Sequence, residues 1–81
     1  MDEFKVGDLV WYDFRKVAIS LGAGEFCIVR GTFNEYVLLV YEDEADTIDL
    51  QYRFVANPIH LVRIDPDTPQ NRLAMRLKYS S

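Results

Sequence analysis

The stretch Phe26-Cys27-Ile28-Val29-Arg30-Gly31-Thr32-Phe33-Asn34-Glu35-Tyr36-Val37-Leu38-Leu39-Val40-Tyr41 decides the fold. Two runs rich in β-branched and aromatic residues are separated by Asn34-Glu35, a connection short enough only for a β-hairpin. Tyr36 to Tyr41 is apolar at every position, which predicts a strand covered on both faces rather than one with a wet side. Outward from this hairpin the chain keeps the same grain. Leu9-Val10-Trp11-Tyr12-Asp13-Phe14 is strand-like and too short for a helix. Val17 to Leu21 alternates, and Gly22-Ala23-Gly24 breaks it. After the acidic turn Glu42 to Asp46, the residues Ile48, Leu50, Tyr52 and Phe54 alternate with Asp49, Gln51 and Arg53, the pattern of a half-buried strand. Ala56-Asn57-Pro58 stops that run, Ile59-His60-Leu61 fits one turn of 3₁₀ helix, and Val62-Arg63-Ile64 is a last short strand.

Five or six short strands with regular turn signals and no helix between them predict a mainly β fold. The expected architecture is a small five- to six-stranded antiparallel barrel over residues 1–66. Residues 67–81 form a basic C-terminal extension. Thr68-Pro69 is an N-cap followed by proline at the first helical position, and the composition beyond it favours a short helix. Leu73, Met75, Leu77 and Tyr79 also alternate with basic residues, so an edge strand is the competing reading.

At 81 residues the chain is one domain. A chain this short buries roughly 60–65% of its unfolded surface, too little for separate cofactor and substrate lobes. The formal charge of −4 divides unevenly: residues 1–69 carry thirteen acids and six bases, whereas residues 70–81 carry Arg72, Arg76 and Lys78 and no acid. An acidic body is a poor platform for phosphate binding, so nucleic acid is not an expected partner. No run of 18 apolar residues spans a membrane and Met1-Asp2-Glu3 is not a signal-peptide start, so membrane association is not expected and a cytoplasmic location is.

The catalytic inventory is sparse. Cys27, flanked by Phe26 and Ile28, is expected to be buried and inert, and His60 stands 33 positions away from it, which is no zinc spacing. Gly22-Ala23-Gly24 lacks the third glycine and following helix of a dinucleotide loop. The acidic turn lacks the ligand alternation of a calcium loop. No catalytic residue, metal or cofactor is therefore expected. What stands out is the surplus of rings: eleven Phe, Tyr and Trp in 81 residues, more than a small barrel readily encloses. Trp11, Tyr12, Phe33, Tyr36 and Tyr41 lie on the first three strands, and Glu42 and Asp43 follow at once. Gathered together, they would make an aromatic site of negative potential that favours a cation.

The order of these pieces resembles the SH3-like small-barrel superfamily, Tudor-like barrels in particular. Val6-Gly7-Asp8-Leu9-Val10-Trp11 is similar to the first strand, Phe26 to Val29 to the second, Tyr36 to Tyr41 to the third, Ile48 to Phe54 to the fourth, and Pro58 to Ile64 to the 3₁₀ turn and last strand. Asp43 is followed by Glu44 and Ala45 instead of the aromatic and glycine of a Tudor turn, and residues 15–25 are a longer connection than usual. Leu50-Gln51-Tyr52 more distantly resembles the pore strand of the plasmid-type dihydrofolate reductase barrel, which implies an oligomeric small-ligand enzyme as a third reading. Small size, the lack of catalytic groups, the aromatic surplus and the acidic body together point to a non-enzymatic interaction module whose partner is a protein or peptide of basic character. The alternative is a self-assembling subunit, a homo-oligomer that buries strand Tyr36–Tyr41 and the apolar positions of the tail between copies.

Overall fold

A computed structural model describes residues 4–13, 24–46 and 50–79. The predicted strand Val17–Leu21 lies outside the described residues. Five strands, β1 (Leu9–Asp13), β2 (Gly24–Phe33), β3 (Tyr36–Tyr41), β4 (Arg53–Ala56) and β5 (Leu61–Arg63), form one antiparallel sheet in the order β4-β3-β2-β1-β5. The helix α1 (Pro69–Tyr79) follows. Among the described residues no ladder joins β4 to β5, so the sheet is unclosed rather than a barrel sealed by hydrogen bonds. No helix among those residues is long and apolar enough to cross a membrane.

The hairpin read from Phe26 to Tyr41 is present, with Phe33 opposite Tyr36. Asn34 sits at φ 56°, the left-handed region that a two-residue hairpin loop requires and that asparagine tolerates. Arg30 is the extra residue of a bulge: Val29 opposes Leu39, and Gly31 opposes Leu38. Freed from the ladder, its guanidinium donates to the Ala45 carbonyl at 2.7 Å and so tethers the acidic turn to β2. Gly24 opens β2 opposite Asp13, where a side chain would collide with the Tyr12 carbonyl and the Trp11 indole. Only glycine fits there.

One strand differs from its sequence pattern. The alternation from Ile48 to Phe54 predicts a strand, yet Leu50–Tyr52 is a 3₁₀ turn and β4 begins at Arg53. Partners explain the difference. The β3–β4 ladder pairs Val40 with Arg53 at one end and Val37 with Ala56 at the other, and it records no β3 partner for residues 50–52. The 3₁₀ turn before β5 does form, at Pro58–His60, capped by the Asn57 side chain accepting from the Ile59 amide at 3.1 Å.

Period-two alternation gives the sheet two apolar faces. On the inner face Val10, Cys27, Val29, Val37, Leu39, Ala56 and Leu61 form one cluster. On the outer face Leu9, Trp11, Phe26 and Ile64 form another, with Met75 of α1 packed against it. The extension is a helix and not an edge strand, because Thr68 caps it by accepting from the Asn71 amide at 3.1 Å. Two of its basic residues, Arg72 and Arg76, face the acidic body. Arg72 pairs with Glu42 and with Asp67, both at 2.6 Å, and the guanidiniums of Arg72 and Arg76 lie 5.3 and 4.8 Å from the centre of the Phe26 ring.

Trp11 is 2% exposed and meets Phe26 edge-on with centroids 5.0 Å apart. Its removal leaves a large cavity under α1, so Trp11→Ala should cost about 3–5 kcal/mol in urea unfolding, a loss that threatens so small a domain. A variant within about 1 kcal/mol of the parent would show the indole to be a surface group instead.

Candidate functional site

The inner face changes character at the end where β1 and β3 finish and β2 and β4 begin. Tyr12 opposes Glu25, Cys27 opposes Tyr41, and Leu39 opposes Phe54, so register alone brings these side chains to one end of one face. Three rings result. Tyr12 stacks on Phe54 at 5.9 Å and 20° between planes, and Tyr41 leans on Phe54 at 4.8 Å and 38°. All three are half-buried against the inner cluster.

The chain then turns at once into the 3₁₀ segment Glu42–Glu44, which delivers carboxylates beside the last ring. Glu25, Tyr41, Asp43 and Glu44 line a shallow cavity of about 230 Å³. The Arg30 contact to the Ala45 carbonyl holds the far side of this turn. Glu42 points the other way, to Arg72 of α1.

Burial dominates the chemistry beneath the cavity. It pushes the Cys27 thiol up to about 12, with the negative charges of Glu25, Asp43 and Glu42 adding to the effect. The Tyr41 hydroxyl is likewise raised, first by burial and then by Cys27, Tyr12, Glu25 and Asp43, and Tyr12 is raised by burial and by Cys27. At neutral pH the site therefore keeps neutral phenols and a neutral thiol under a ring of carboxylates. It disfavours anions. A cation gains from both the carboxylates and the ring faces. Among the described residues no three His, Cys, Asp or Glu side chains are grouped to hold a metal ion.

The seven residues expected from the sequence separate into three places. Tyr12, Tyr41, Glu42 and Asp43 come together at this end of the sheet, with Glu42 engaged by Arg72. Phe33 and Tyr36 flank the hairpin turn at the opposite end of β3, 62% and 44% exposed, roughly 17 Å away along the strand. Trp11 belongs to the outer cluster, because it is one residue out of phase with Tyr12 and so faces the other side of the sheet. Phe54, Glu25 and Glu44 complete the site. Phe54 was visible as an inward position of the alternating run, whereas Glu25 joins only through the β1–β2 register. Comparison of the chain with protein-family models, with curated proteins and with solved structures finds no match in any of the three.

The raised thiol has a measurable consequence. Above about pH 9 an unfolded chain gives up a Cys27 proton that the folded chain keeps until about pH 12. The stabilisation is thus complete below pH 9, and it is lost as pH rises through that window by up to about 1.4 kcal/mol per pH unit. Urea melts from pH 8 to 10.5 should show a shallower alkaline decline for Cys27→Ala than for the parent. Parallel declines would contradict the burial argument.

Proposed function

We propose that this chain is a non-enzymatic interaction module of the small-barrel type that binds a basic segment of a partner protein. The binding site in this reading is the end of the inner face formed by Tyr12, Tyr41 and Phe54 with Glu25, Asp43 and Glu44. The observation that carries the proposal is the cavity itself: one aromatic wall, Tyr41, between three carboxylates, backed by two further rings. Its volume suits the cationic head of a single side chain, with the rest of the partner lying across the surface. The acidic excess of residues 1–69 supports the same choice of partner by steering basic chains toward the domain. The strand order, with β5 returning beside β1 after a 3₁₀ turn, supports the SH3-like and Tudor-like resemblance.

The test is a titration of the isotope-labelled chain with a short Lys- and Arg-rich peptide, followed by NMR. The expected amide shifts centre on Tyr12, Glu25, Tyr41, Asp43 and Phe54. A peptide of the same length rich in Glu should give none. Asp43→Asn with Glu44→Gln, which leaves the rings in place, should weaken binding several-fold and flatten its salt dependence. Tyr41→Ala should weaken it by roughly 3- to 30-fold, as loss of one ring contact implies. Equal binding of both peptides, or shifts confined to α1, would overturn the proposal.

A further inference from the structure

Helix α1 is itself a basic segment bound to the acidic turn of its own domain. Arg72 donates from Nη1 to Glu42 and from Nε to Asp67, both at 2.6 Å, and shares the Phe26 ring with Arg76. The hold is light. Met75 packs against the outer cluster, while Leu73 and Leu77 are exposed. The Arg72 and Glu42 side chains are 32% and 36% exposed, and an ion pair this open to water is readily exchanged for another.

Glu42 stands next to the candidate site without serving it. It lies between Tyr41 and Asp43 in the chain, and its charge is felt by the Cys27 thiol beneath the cavity. The turn carries three carboxylates, Glu42, Asp43 and Glu44. Arg72 neutralises the first, and the cavity keeps the other two together with Glu25. A cation on the helix and a cation in the cavity therefore draw on one turn. Arg30 holds that turn from β2 through the Ala45 carbonyl at 2.7 Å, so loss of Arg72 alters the charge of the turn rather than its place.

We infer, on the reading of this site as one for a cationic side chain, that α1 is a built-in competitor of the site: Arg72 on Glu42 keeps a basic partner weakly held, and withdrawal of Arg72 lets Glu42 join Asp43 and Glu44 in holding it. Coupling of this kind is reciprocal. A partner in the cavity loosens Arg72 by the factor by which Arg72 weakens the partner. One unit of charge restored beside a bound cation, in surroundings as open as these, changes affinity by roughly two- to five-fold.

The test is a charge cycle at this pair, read as the dissociation constant of the Lys- and Arg-rich peptide at low salt. Arg72→Gln should bind the peptide roughly two- to five-fold more tightly than the parent, and Glu42→Gln should bind it more weakly by a similar factor. The double variant should return to near the parent, because the cluster at positions 42, 67 and 72 then regains the parent's net charge. Arg72→Lys, which keeps the charge, should match the parent. Salt on the order of 0.5 M should merge all of these affinities. Glu42→Gln leaves Arg72 on Asp67 and so decides the matter even where Arg72→Gln loosens the fold. A parent that binds the peptide while Arg72→Gln, still folded, binds no more tightly overturns this inference alone. So does Glu42→Gln at the parent's affinity. A parent with no affinity for the peptide overturns the reading of the site, and this inference with it.

Discussion

The structure depends on one constraint: its sheet is apolar on both faces, and 81 residues must cover both. Val10 and Trp11 are adjacent in β1 and each is at most 2% exposed, on opposite sides. The inner side is covered by the sheet's own packing and by the rings at its end. The outer side needs α1, which contributes little apolar surface of its own beyond Met75. Arginine takes the place of a larger hydrophobic stripe. Arg72 and Arg76 lay their guanidiniums on Phe26, and Arg72 adds a fork to Asp67 and Glu42. The uneven charge of the chain thus has a structural use, holding a basic helix on an acidic sheet. This attachment is partly exposed to solvent, so salt should weaken it.

The same constraint explains where the candidate site lies. Glu42 is drawn to the helix, while Asp43 and Glu44 stay with Tyr41. Arg30, released by its bulge, pins the end of the turn. The turn is therefore fixed from two sides by arginines that belong to the sheet and to the helix, and its remaining carboxylates are left facing the aromatic end of the inner face. Fold and site share one set of contacts. The helix cannot leave the outer face without freeing Glu42 and changing the field at the site.

Much of this was legible in the sequence, for physical reasons that differ by element. The β2–β3 hairpin was legible because a two-residue loop between apolar runs has few alternatives, and α1 because Thr68 and Pro69 act locally. The strand expected at Ile48–Phe54 failed over residues 50–52, since alternation reports which positions would share a face but not whether a neighbour strand is long enough to pair. Ring count and acidic turn drew attention to Tyr12, Tyr41 and Asp43, which lie together at one end of the sheet. Trp11 could not be separated from Tyr12 without knowing which parity of β1 faces inward. Glu25 could not be found at all, because its place depends on pairing across the connection between β1 and β2.

The central claim is that a cationic side chain sits against Tyr41 between Glu25, Asp43 and Glu44. The most direct measurement is a filtered nuclear Overhauser experiment on the labelled chain mixed with an unlabelled basic peptide. The account predicts contacts from the ring protons of Tyr41 and Tyr12 to the terminal methylenes of one Lys or Arg side chain of the peptide. Contacts from Phe33 and Tyr36 at the other end of β3, with none from Tyr41, would contradict it.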